Sequence, residues 1–152
     1  MLDNKDTIIL DILQKDGRAT AKDIAKQVNL SIPAVLERIK KLVDSGIIHE
    51  FRAILEPKQV NYDVSAFILV MMASSDYYES LVKKANQSDE VLECHSITGE
   101  GSHILKIRTQ NTSTLEKLLS TIQKWPGVVR THTMIVMSTF KEDTYLSLMQ
   151  GQ

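Results

Sequence analysis

Five cationic side chains, Arg18, Lys22, Arg38, Lys40 and Lys41, are concentrated within a short early stretch of this 152-residue chain. Held on one surface, such cations bind phosphate oxygens and displace the counterions of a polyanion. A second grouping, Thr98-Gly99-Glu100-Gly101-Ser102-His103, combines two glycines with hydroxyls, a carboxylate and an imidazole. Glycines let a backbone approach a small molecule, and their N–H groups can hold a carboxylate. A plain hairpin with glycine-dependent turn geometry uses the same residues. Other candidates for chemistry are weaker. His95, His103 and His132, with Arg108 and Arg130, could serve a carboxylate-bearing substrate, but the histidines show no metal-ligand spacing and no nucleophile–base pairing. Gly99-x-Gly101 is too short and wrongly placed for a dinucleotide fingerprint. A lone Cys94 excludes an internal disulfide framework and a multi-cysteine metal cage.

The early cations need a scaffold, and the pattern around them is helical. Ile8, Ile9, Ile12 and Leu13 recur at helical spacing across Lys5–Lys15, and Asp16-Gly17-Arg18 ends that segment. Ile24, Ala25 and Val28 form the buried stripe of a helix over Ala21–Val28, capped by Thr20, with Asp23 as an acidic capping-box partner. Asn29-Leu30 supplies the break. Ser31 caps the next helix, Pro33 is tolerated in its first turn, and Gly46 closes it. Val35, Ile39 and Leu42 hold its inner face, while Ile32, Ala34, Glu37, Arg38 and Lys41 fall elsewhere and Lys40 lies near the rim. A helical pair with a solvated face is the plain interpretation. The specific one is a helix-turn-helix, whose second helix enters a DNA major groove. Pro33, Ala34 and Glu37 are then expected nearest base edges, with Arg38, Lys40 and Lys41, Ser31 at the helix start and flanking Arg18 and Lys22 completing the contacts to double-stranded DNA. Residues 47–55 form a β-type run that suits a winged variant or a strand leading away. The expected boundaries are a DNA-binding domain at 1–46 and a strand and linker at 47–63.

From residue 64 the pattern changes. Strands are expected at 64–72, 90–97, 104–109 and 128–140, with helices at 77–86 and 112–124. This βαββαβ order is the ferredoxin-like split unit, which makes the chain α+β, with a domain at 64–140 and a tail at 141–152. Both helices of that fold cover one sheet face, so the other face should read as polar. Residues 66–72 and 134–137 are instead apolar on both parities. The open face therefore requires a cover, and the simplest is the same face of a second copy. A two-fold dimer sets two recognition helices side by side, as a palindromic operator requires.

Charge looks awkward for a DNA binder, since residues 1–60 sum to +1 and residues 61–152 to −2. What meets phosphate is a local patch, and a weakly charged protomer gains most by presenting several such patches together. No apolar run approaches the roughly 18 residues of a membrane-crossing helix, and no charged-then-apolar signal segment opens the chain. Cytoplasm without membrane association is the expectation.

Against this background the chain resembles the Lrp/AsnC family of feast/famine transcription regulators. The matching residues include Leu2-Asp3, Asp6, Ile9-Leu10, Asp16-Gly17-Arg18, Leu30-Ser31, Val35-x-x-Arg38-Ile39-x-x-Leu42, Gly46-x-Ile48 and Ala53-x-Leu55. They continue through Ala66-Phe67, Val91-x-Glu93-Cys94, Thr98-Gly99, Pro126-Gly127-Val128 and Arg130-Thr131-x-Thr133. The resemblance implies a ligand-responsive C-terminal domain, dimers that assemble further into octamers, no cofactor, and an amino acid or related metabolite as effector. It places that effector at Thr98, Gly99, Glu100, Gly101, Ser102 and His103, with Thr131 and Thr133 adding hydroxyls. The family commonly has an Asp where this chain has Ser102, so Glu100 is the candidate partner for an amino group. A small group of siroheme decarboxylases resembles the same architecture and supplies the enzyme alternative. The basic recognition helix favours a regulator that is not an enzyme.

Overall fold

The computed structural model describes residues 2–148, which form two compact units: residues 2–54 with 141–148, and residues 55–140.

In the first unit, α1 (Asn4–Lys15), α2 (Ala21–Val28) and α3 (Ile32–Asp44) enclose Ile9, Ile24 and Val35, all fully buried, with Leu10, Ala25, Val28 and Leu42 around them. Each helix start is fixed by a side chain. Asp3 and Asp6 form a reciprocal capping box on α1, Thr20 accepts from the Asp23 N–H, and Ser31 accepts from the Ala34 N–H. The expected return bond from Asp23 takes another route: its carboxylate accepts from the Thr20 hydroxyl, at 2.6 Å, and not from the Thr20 N–H. The α2–α3 turn depends on Asn29, whose φ of 51° lies in the left-handed region that asparagine tolerates. Gly46, at φ 74°, follows the α3 cap, and the Ile48 N–H returns to the Leu42 carbonyl.

The run at 47–55 does not form the expected strand. Among the described residues no backbone hydrogen bond involves residues 49–55. A strand exists only beside a partner that takes up its N–H and C=O rows, and this segment meets none within the chain. Phe51, Ile54 and Leu55 are consequently exposed. The end of the chain, by contrast, is held. The Gln14 side-chain amide donates to the Leu146 carbonyl and accepts from the Leu146 N–H, at 3.0 and 2.8 Å. The Tyr145 hydroxyl bonds to Asp11, and Lys15 lies over the Tyr145 ring.

The second unit carries β1 (Val64–Met72), α4 (Tyr78–Asn86), β2 (Val91–Ser96), β3 (His103–Thr109), α5 (Thr112–Ile122) and β4 (Val128–Ile135). The antiparallel sheet has the order β2-β3-β1-β4, as the ferredoxin-like expectation requires. Ala66, Ile68 and Val70 of β1 and Leu105 and Ile107 of β3 point to the helix side, where they pack with Leu81, Leu115, Ile122 and Trp125. β4 stops at Ile135 and does not reach residue 140. The Val136 N–H makes one more bond, to the Ser65 carbonyl near the start of β1, after which β4 has outrun its partner strand. Gly127 turns the chain into β4 at φ 79°, where an added Cβ would overlap the Tyr77 side chain.

Candidate nucleic-acid interface and effector loop

The core of the first unit decides what α3 can offer. Val35 and Leu42 are buried and Ile39 packs against them, so Pro33, Leu36, Glu37, Lys40 and Lys41 lie on the exposed surface. Ala34 is half-buried on the flank. Ser31 stands at the exposed helix start, with its hydroxyl oxygen engaged by the Ala34 N–H at 3.3 Å. Arg18 and Lys22 are exposed beside α2, and no ion pair engages Arg18, Lys22 or Lys40 among the described residues. These are the cations most free to meet phosphate.

Arg38 differs from the sequence expectation. Its Nη1 donates to both Asp3 and Asp6, each at 2.7 Å, and so braces α3 against the capping box of α1. Those bonds, Asp6 foremost, hold the guanidinium pKa above its usual value. Asp3 is held below the carboxylate range chiefly by the Asp6 N–H and then by Arg38. Only tertiary packing places these carboxylates beside an arginine more than thirty positions away, and heptad position does not reveal it. Lys41 is exposed, but bonds to Glu37 one turn earlier at 2.7 Å, which also lowers the Glu37 pKa.

In the second unit the β2–β3 hairpin is closed by a bond from the Ile97 N–H to the Ser102 carbonyl. Thr98, Gly99 and Glu100 are exposed at its tip, and Gly99 has φ 109°. Gly101 lies close over β1, where an added Cβ would come within 3.4 Å of the Val70 carbonyl. Ser102 is tied down, because its N–H and its hydroxyl both donate to that carbonyl. His103 does not belong with the open loop. It begins β3, is only 3% exposed, and packs edge-on to the Tyr78 ring at 4.7 Å. Since the Ser102 hydroxyl proton is committed to Val70, His103 Nδ1 must donate to that oxygen, at 3.0 Å. Burial lowers the imidazole pKa and favours this neutral form.

Thr131 and Thr133 pair with Val70 and Ile68, which fixes both hydroxyls on the helix side of the sheet. Both residues are half-buried, and Thr131 accepts from Gln123 at 3.2 Å. Gln123 was missed by sequence reasoning, since its place beside β4 depends on how α5 crosses the sheet. The row Thr131–Val70–His103 spans β4, β1 and β3, so the threonines lie about 10 Å, two strand spacings, from the hairpin base.

The histidines do not converge. His103 is buried on the helix side, whereas His95 and His132 lie on the opposite face at its two edges, in the row His95–Ile104–Leu69–His132. That is about 14 Å apart at three strand spacings. His95 bonds to Glu93 at 3.3 Å, which also pairs with Lys106 at 3.0 Å. Burial raises the Cys94 pKa, so its thiol stays protonated. Among the described residues no group of three metal-ligating side chains occurs. None of their helices is long and apolar enough to cross a membrane.

Known proteins match both units. Residues 2–49 fit a family described as winged helix-turn-helix DNA-binding, and residues 65–146 fit the Lrp/AsnC ligand binding domain. The HTH-type transcriptional regulator FL11 of Pyrococcus abyssi is 41% identical over 147 residues, covering 97% of both chains. The leucine-responsive regulatory protein of Escherichia coli K12 is 33% identical over 148 residues, covering 95% of this chain and 90% of its own. A crystal structure of a transcriptional regulator from Neisseria meningitidis in complex with L-Met superposes with a TM-score of 0.90 at 32% identity, over 96% of each chain. These relatives are named as regulators, and the siroheme decarboxylase alternative finds no support among them. Full-length matches of this kind, over a helix-turn-helix and a four-stranded antiparallel sheet, place the chain in the Lrp/AsnC family of transcription regulators.

Proposed function

We propose that this chain is a homo-oligomeric regulator, not an enzyme, that holds double-stranded DNA with α3 and answers to a small amino acid bound beside the 98–102 hairpin. The observation that carries this reading is the exposed surface of α3, rigidly capped and backed by a packed core, with Lys40 free and Arg18 and Lys22 nearby. Pro33, Ala34 and Glu37 lie on the first two turns, the part of a recognition helix that reaches deepest into the groove. Lys40 and Lys41 follow toward phosphate. Arg38 is removed from this list by its ion pairs.

For the effector, backbone N–H groups at Gly99 and Gly101 and the Thr98 hydroxyl offer a carboxylate cradle, with exposed Glu100 for the amino group. Thr131 and Thr133 supply hydroxyls, while Ser102 and His103 shape the hairpin from beneath. The relatives named for leucine and bound to L-Met support an apolar amino acid. The sheet face opposite the helices carries Phe67, Leu69, Met71, Ile104 and Met134, which supports pairing of two copies; octamers follow from the resemblance alone. An effector shifts such assemblies only through unequal affinity for their states.

The test is selection of a binding sequence from random duplex DNA, followed by titration of that duplex over a range of salt. Calorimetry with L-leucine and L-methionine completes it. A selected sequence with a steep salt slope, and heat from either amino acid, are expected. Failure to select any sequence overturns the DNA reading; no heat from either amino acid overturns the effector reading.

A further inference from the structure

We propose that Leu36 reads a thymine in the operator through that base's C5-methyl group, an inference that rests on the DNA-binding reading above and names the base it recognises. Leu36 is 54% exposed on α3, one turn from Lys40 and adjacent to Pro33 and Glu37 on the same surface. It contributes nothing to the buried core of the unit.

The chemistry of the surrounding residues narrows what this surface can read. Direct readout of guanine uses Arg or Lys, and bidentate readout of adenine uses Asn or Gln. Residues 31–37, Ser-Ile-Pro-Ala-Val-Leu-Glu, contain none of these. The Ser31 oxygen is engaged in capping, and Arg38, the nearest guanidinium, is bound to Asp3 and Asp6. What the first two turns expose is apolar, at Ile32, Pro33 and Leu36, apart from the acceptor Glu37. The thymine methyl is the one base-edge group in the major groove that an apolar side chain recognises. Leu36, longer and more exposed than its neighbours Pro33 and Ala34, is the side chain with the reach to meet it.

The experiment uses the full chain and a selected duplex in which each thymine in turn is replaced by uracil, which pairs identically but lacks the methyl. One replacement should weaken the unmodified protein about fourfold, the worth of one buried methyl-sized group. Leu36→Ala should bind the thymine duplex correspondingly less well and show no response to that replacement, while Leu36→Met should retain the response. Equal responses of the unmodified protein and Leu36→Ala at every thymine would overturn the proposal. So would a Leu36→Ala protein that sediments as a smaller species with its thymine response intact, since the side chain would then serve assembly. If no sequence is selected at all, the failure lies with the DNA reading itself.

Discussion

At the scale of single residues, Arg38 and Lys40 separate two uses of positive charge on one helix. Two carboxylates hold the Arg38 guanidinium, whereas Lys40 has no ion partner among the described residues. Arg38→Ala should therefore lower the melting temperature of the first unit while leaving the salt slope of DNA binding unchanged. Lys40→Ala should do the reverse, reducing the slope by about one unit for the lost phosphate contact. Thermal melts and salt titrations of both variants check this pair. His103 gives a pH prediction. Its folded pKa lies below the ordinary 6.5, so on acidification the unfolded chain takes up a proton that the folded chain refuses. The stability difference is absent above the unfolded pKa and grows as pH falls below it, until the folded pKa is reached. Between pH 7 and 5.5 the protein should lose stability with a contribution of at most one proton, about 1.4 kcal/mol per pH unit, and His103→Gln should remove that part of the slope. Denaturant unfolding at several pH values measures it.

At the scale of elements, the end of the chain is a structural part of the first unit. Gln14 pairs with both backbone groups of Leu146, and Tyr145 reaches Asp11 on the same helix. The capping by Asp143 of the Tyr145 N–H bends the segment into place. Gln14→Ala breaks two exposed hydrogen bonds and should destabilise this unit by about 1 kcal/mol. Truncation after residue 142 should cost at least as much and leave the Gln14 substitution without further effect. Non-additivity of the two changes in chemical unfolding is the signature; simple addition would show that the segment does not act through Gln14.

For the whole molecule, the register assigns each apolar residue of the sheet to a face. Leu69 stands between Ile104 and His132 on the face opposite the helices, while Ile68 and Val70 are fully buried against them. Leu69→Glu should thus dissociate the assembly into folded monomers, because a charge buried between copies costs several kcal/mol. Sedimentation and circular dichroism together read this outcome. Unchanged sedimentation would place the dimer contact elsewhere.

Sequence periodicity was sufficient for both units, because it reports local physics. Helical stripes such as Ile24-Ala25-Val28, capping residues such as Ser31, and the βαββαβ order depend on neighbours within a few positions or on the chain's own alternation of elements. The family motifs of the sequence likewise carried the assignment to transcription regulators. Tertiary structure alone decided which polar groups were already engaged. Arg38, Ser102 and His103 look available in the sequence, yet each meets a partner from a distant segment or lies under one, at Asp3 and Asp6, Val70 and Tyr78. Tertiary structure also withdrew the strand at 47–55. Local β propensity is visible in that run, but a strand requires a lateral partner, and the chain folded alone provides none.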